Sequence, residues 1–182
     1  MRLFVALELP AGVREGLAAW RSELADRAGG LRLIRPEDLH VTLCFLGWRS
    51  MAELREIREA CAVVAGEPAA PLRVVGELWL PPRRPRVLAV ELVDVAGVLE
   101  RVQAALSRTL EAGGWYVPEK RRFLAHVTVA RVAGRLPAVS ARAAPSPPAV
   151  EFEGSRVRLY RSRLSPAGAR YEPLGTVELG GG

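Results

Sequence analysis

Arg2-Leu3-Phe4-Val5-Ala6-Leu7-Glu8-Leu9 returns later in the chain as Arg86-Val87-Leu88-Ala89-Val90-Glu91-Leu92. Both stretches read as strands carrying a glutamate near the end, and Pro10 closes the first. The segments after these two strands are also alike. Val13, Leu17, Trp20 and Leu24 recur at helical spacing, so residues 11–28 read as an amphipathic helix stopped by Gly29-Gly30. Val98, Val102, Leu106 and Leu110 mark a second such helix, running from Asp94 to Gly113-Gly114. An apolar segment and Pro36-Glu37 then lead to His40-Val41-Thr42; an apolar segment and Pro118-Glu119 lead to His126-Val127-Thr128. The offset is 83 residues for the glutamates, 84 for the Gly-Gly pairs and 86 for the histidines, so the landmarks keep both order and spacing. The chain reads as a duplicated unit.

The remaining elements complete each copy. Leu31–Ile34 is a short strand and Leu39–Leu46 a strong one closed by Gly47. Ser50 with Glu53 forms a capping box for a helix carrying Leu54, Ile57, Cys61 and Val64, and Leu72–Leu80 is the next strand. In the second copy the counterparts are a weaker helix around Leu136–Arg142 and a strand around Val150–Tyr160. The expected fold is therefore α+β: one domain over 1–182 with two βαββαβ lobes related by a pseudo-twofold axis. Their mainly antiparallel sheets should flank a central cleft. The stiff Pro81–Pro85 loop divides the copies into lobes of about 1–80 and 83–163, and a C-terminal hairpin over 158–179 joins one sheet.

Composition narrows the class. With 182 residues, 49% of them hydrophobic and 25% charged, the chain suits one compact domain and excludes a disordered protein. No apolar run approaches the roughly 20 residues that cross a bilayer. The opening segment has Glu8 inside its apolar stretch and no small-residue cleavage site, so it reads as a strand rather than a signal peptide. Cys44 and Cys61 lack metal or disulfide spacing and are expected to be reduced, buried thiols of a cytoplasmic, monomeric protein with no membrane partner. The net charge of +6 permits an anionic partner, but 25 of the 26 basic residues are arginine, so the bias alone does not identify one.

The chain has two histidines, and each begins a His-Val-Thr. With four threonines in 182 residues, both histidines finding Thr at the second position by accident is roughly a one-in-two-thousand event. Strand alternation puts His40 with Thr42, and His126 with Thr128, on one face. A twofold relation would bring the pairs together across a shared cleft. Opposed imidazoles suit in-line displacement at phosphorus, where one takes a proton from the attacking oxygen and the other gives one to the leaving oxygen. Hydroxyls between them would donate to the non-bridging oxygens.

His-Val-Thr-Leu followed by Phe-Leu-Gly, and His-Val-Thr-Val-Ala-Arg, resemble the paired HxTx motifs of the two-histidine phosphoesterase superfamily. LFVALELP, the run Arg35-Pro36-Glu37-Asp38-Leu39, and Leu159–Pro166 with Gly168 are similar to its RNA 2′,3′-cyclic phosphodiesterases, also called 2′-5′ RNA ligase-like proteins. The resemblance implies hydrolysis of 2′,3′-cyclic phosphate ends to 2′-phosphates without metal or cofactor, on RNA (tRNA fragments included) or cyclic-phosphate nucleotides. In some relatives it implies reversible 2′-5′ joining. By the same analogy His126 is the base towards water and His40 the acid towards the 3′-oxygen. Arg131 matches a phosphate-contacting arginine of the family, although an unbroken strand would point it away from His126, so a bulge must intervene.

Blander assignments compete with these. Cys44 shares a strand face with His40 and Thr42 but reads as a small buried filler. Phe4 reads as core, while Tyr160 is a candidate to stack on a base. Arg83-Arg84-Arg86 and Lys120-Arg121-Arg122 fit an RNA backbone and a solvated face equally well. A nucleotide- or RNA-binding module that uses the cleft without catalysis is the alternative function. A metallohydrolase is disfavoured because two histidines without an acidic neighbour fall short of the usual three ligands.

Overall fold

The structure is a computed structural model that describes residues 1–28, 30–133, 146–165 and 168–180. Its strands are β1 (Arg2–Glu8), β2 (Leu31–Leu33), β3 (His40–Trp48), β4 (Ala70–Leu80), β5 (Val87–Asp94), β6 (His126–Val132), β7 (Glu151–Gly154), β8 (Arg156–Ser165) and β9 (Gly168–Glu178). The helices are α1 (Ala11–Ala28), α2 (Leu54–Cys61) and α3 (Val98–Ala112). The helical spacing predicts the buried faces: Val13, Leu17, Trp20 and Leu24 of α1 are buried, as are Val98, Val102, Leu106 and Leu110 of α3. Ser50 and Glu53 do bond reciprocally, the Ser50 amide and hydroxyl each reaching the Glu53 carboxylate at 2.7 Å. They close the turn ahead of α2, which itself begins at Leu54.

Among the described residues the strands form one curled, antiparallel sheet ordered β7-β4-β5-β6-β3-β1-β8-β9, with β2 added to β6. β3 and β6 meet in a single bridge, Val41 to Val127, and the pseudo-twofold axis passes through this seam. The register on either side obeys the symmetry. Glu8 lies opposite His40 and Ala6 opposite Thr42 in β1–β3; Glu91 lies opposite His126 and Ala89 opposite Thr128 in β5–β6.

The strand partners depart from the expected division at 1–80 and 83–163. β4 pairs with β5, and β8 pairs with β1, so the closing strand of each copy joins the sheet half of the other. The helices explain the exchange. α2 packs against α3 of the second copy, and the chain leaving α2 is delivered to the open edge of β5. α1 likewise lies against β6 and β2, tied by the Arg21 guanidinium donating to the Val129 carbonyl at 3.4 Å. One continuous apolar core consequently runs through both copies.

Two further differences are local. The expected strand Val150–Tyr160 breaks at Ser155 into β7, which pairs with β4, and β8, which pairs with β1. Trp115–Val117, the counterpart of β2, is not a strand. The helix expected at Leu136–Arg142 lies outside the described residues, as do Pro166 and Ala167 of the turn in the β8–β9 hairpin. That hairpin extends the β1 side of the sheet. No helix among the described residues is long and apolar enough to cross a membrane.

Candidate active site

Each His-Val-Thr opens its strand, and each strand then bulges by one residue directly after the Thr, with a second register shift in β3 beyond Phe45. In β3, Val5 is opposite Cys44 but Ala6 is opposite Thr42, leaving Leu43 as a bulge. In β6, Leu88 is opposite Ala130 but Ala89 is opposite Thr128, leaving Val129 as the equivalent bulge. Two consecutive residues therefore face the core in both strands, Leu43 with Cys44 and Val129 with Ala130. The alternation resumes with its phase reversed, which returns Phe45 and Arg131 to the histidine face. The bulge that Arg131 requires is present. The equivalent bulge in β3 removes Cys44 from the face it was expected to share with His40, and Cys44 is 1% exposed. Burial pushes the Cys44 and Cys61 thiols up to about 12, which leaves neither nucleophilic.

Both imidazoles are oriented in the same way. His40 Nδ1 lies 2.7 Å from the Asp38 carbonyl oxygen, and His126 Nδ1 lies 2.8 Å from that of Leu124. A carbonyl only accepts, so the Nδ1–H is the donor in each ring and Nε2 is left for other chemistry. Asp38 is itself anchored by Arg35, at 2.8 and 2.7 Å. His40 Nε2 is 3.1 Å from Thr42 Oγ1, which donates to it while the ring is neutral. Across the seam, the antiparallel direction at Val41–Val127 sets Thr42 level with His126 and Thr128 level with His40. The two imidazoles thus stand diagonally across one bridge.

His40 is pushed down from 6.5 to about 4, chiefly by burial. The Asp38 carbonyl opposes this and nearby His126 adds to it. The burying surface is aromatic. The Phe4 ring lies 5.0 Å from the imidazole and Tyr171 meets it edge-on at 5.2 Å, while Tyr160 stacks on the far part of this cluster, 5.2 Å from Phe4. Phe4 is 1% exposed, as its core assignment requires, yet it also floors the cleft.

The cleft beside His40 has a volume of about 510 Å³. Phe4, Phe45 and Tyr171 give it an aromatic side, and Arg2, Arg32, Arg35 and Arg131 a cationic one. His40 and Arg131 line it; Thr42, His126 and Thr128 sit at the seam and are not among its lining. Arg2, Arg32, Phe45 and Tyr171 escape sequence reading. A signal for Phe45 does exist, because the histidine offset of 86 maps it onto Arg131. Tyr171 lies on β9, outside the duplicated unit, and has no such signal. Of the basic clusters, Arg121 pairs with Glu119 and Arg122 with Glu100 at the surface. Among the described residues no three His, Cys, Asp or Glu side chains gather closely enough to hold a metal ion.

The curled antiparallel sheet matches that of the two-histidine phosphoesterases, and the chain has their fold. Within that class it belongs to the LigT-like phosphoesterase family. Residues 7–89 match the family model described as LigT like Phosphoesterase. An RNA 2′,3′-cyclic phosphodiesterase of Archaeoglobus fulgidus is 32% identical over 98% of this chain and 100% of its own length. A crystal structure of a Thermus thermophilus protein superposes with a TM-score of 0.84 at 27% identity, covering 100% of this chain and 99% of that one. Escherichia coli LigT, crystallised with 3′-AMP, superposes with a TM-score of 0.81 at 25% identity over 98% and 97% of the two chains.

Proposed function

We propose that this protein is a cytoplasmic RNA 2′,3′-cyclic phosphodiesterase that opens cyclic phosphate ends to 2′-phosphates by paired imidazole catalysis, without a metal. The matching tautomers of His40 and His126 carry the reading: each ring holds Nδ1–H on a carbonyl, so Nε2 is the proton-exchanging nitrogen of both, and in His40 it is met by the Thr42 hydroxyl. The names of the relatives and the 3′-AMP held by the Escherichia coli protein supply the substrate class.

In this mechanism His126 Nε2 takes a proton from the attacking water as its oxygen bonds to phosphorus. His40 Nε2 delivers a proton to the departing 3′-oxygen as the P–O3′ bond breaks. The products are a 3′-hydroxyl and a 2′-phosphate, and solvent resets the two rings. Thr42 and Thr128 donate to the non-bridging oxygens, and Arg131 balances their charge. The ligand-free protein holds His40 neutral near pH 7, because burial has pushed it down to about 4. A phosphate anion against Nε2 opposes that desolvation, so the acid is loaded only with substrate in place. With a 5′-hydroxyl in place of water as the entering group, the same step joins RNA halves through a 2′-5′ linkage, tRNA fragments among them, as the P–O3′ bond breaks.

Phosphorus NMR of uridine 2′,3′-cyclic phosphate incubated with the protein and excess EDTA tests this reading. The expected product is uridine 2′-phosphate, formed at an undiminished rate. A 3′-phosphate product, loss of activity to the chelator, or tight binding without turnover would each contradict it.

A further inference from the structure

Arg32 and Arg131 lie directly opposite one another across the β2–β6 ladder. Like charges in that position destabilise a sheet. Neither guanidinium has a carboxylate partner among the described residues, whereas nearby Arg35 is held by both Glu37 and Asp38. Arg2 enters the same cleft from the other half of the sheet, its guanidinium 6.0 Å from the Phe45 ring, and it too has no carboxylate partner there. Arg2, Arg131 and Tyr171 all line this cleft, Arg2 reaching it from β1 and Arg131 from β6.

Three uncompensated cations exceed what the proposed reaction needs. A cyclic phosphate carries one negative charge, and Arg131 with the two threonines answers it. The nearest additional anion on an RNA end is the phosphate on the 5′-oxygen of the same terminal nucleotide. We propose that Arg2 and Arg32 form a second phosphate subsite that holds this 5′-linked phosphate and selects RNA ends over isolated nucleosides. The inference rests on the proposed function for the identity of the substrate. The subsite itself follows from the two cleft guanidiniums, Arg2 and Arg32, that have no carboxylate partner among the described residues, and from the repulsion between Arg32 and Arg131. Phosphate relieves their repulsion and accepts in pairs from each fork. Arg2 is already steadied against Phe45 for that role.

The test compares kcat/KM for uridine 2′,3′-cyclic phosphate with and without a 5′-phosphate, in the wild type and in Arg2→Gln, Arg32→Gln and, as a remote control, Arg108→Gln on α3. The wild type and the control should favour the 5′-phosphorylated compound by about tenfold or more, the usual size of a charge-assisted contact. The preference should collapse towards unity in Arg2→Gln and Arg32→Gln. Equal rates on the two compounds in the wild type, or a preference that survives both cleft substitutions, would overturn the proposal. Calorimetric binding of uridine 2′,5′-bisphosphate against uridine 2′-phosphate reads the same discrimination without turnover. A protein that hydrolyses neither cyclic compound yet keeps an Arg32-dependent preference for the bisphosphate would sink the catalytic reading and leave the subsite standing.

Discussion

Leu43 and Val129 each lengthen a strand by one residue, and that addition decides which side chains share a face with the histidines. Without the bulges Cys44 and Ala130 would flank the histidines. With them, Phe45 and Arg131 do, one supplying an apolar wall and the other a charge. The His-x-Thr facing is legible from strand alternation, because it lies ahead of the bulge. Phe45 and the burial of Cys44 are not, because no residue type marks Leu43 or Val129 as an insertion. The price of His40's setting is a pH-dependent stability. Its proton affinity in the folded chain lies at about 4 against the ordinary 6.5, so on acidification through that interval the unfolded chain binds a proton that the folded chain refuses. Stability should be independent of this group above about 6.5 and fall as pH drops towards 4, by about 1–3 kcal/mol after allowing for partial solvent access. Urea unfolding at several pH values should show a shallower acid loss in His40→Gln than in the wild type. Parallel curves would place the strain elsewhere.

At the scale of elements, the exchange of β4 and β8 between copies is the feature hardest to read beforehand. Repeat spacing reveals which segments correspond but carries no information on which copy of an edge a strand will join. Glu8 records the exchange in its contacts: it meets Arg14 of α1 and both Arg156 and Arg158 of β8, at 3.4, 3.3 and 2.9 Å. Its symmetry mate Glu91 has no ion pair among the described residues. The crossing from β7 to β8 is equally exacting. Gly154 passes Leu7 of β1 so closely that an added Cβ would come within 2.5 Å of Leu7 Cδ2, and Leu7 is fully buried. Gly154→Val should therefore destabilise the protein by about 1–3 kcal/mol, the usual cost of overpacking. Chemical denaturation checks this, and an unchanged midpoint would mean that β7 shifts freely. The single strand expected over Val150–Tyr160 misses this crossing because Gly154-Ser155 interrupts no hydrophobic period.

For the whole molecule, duplication accounts for the cleft. Two copies meeting at Val41–Val127 put an imidazole from each on one seam, which no single copy could do. The copies then diverge away from the axis: the β1 side acquires Tyr160, Tyr171 and the β8–β9 hairpin, and the β5 side supplies Arg131 and its neighbour Arg32. The symmetric part was legible in two histidines and their threonines. The asymmetric part is legible only in Arg131 and Tyr160. Hydrolysis of uridine 2′,3′-cyclic phosphate by the wild type, His40→Ala and His126→Ala, each checked for native circular dichroism, reads the joint role of the two copies. Each substitution should lower kcat by about 10²–10⁴-fold, the worth of one positioned acid or base. Wild-type rates in either folded variant would contradict proton transfer by the pair.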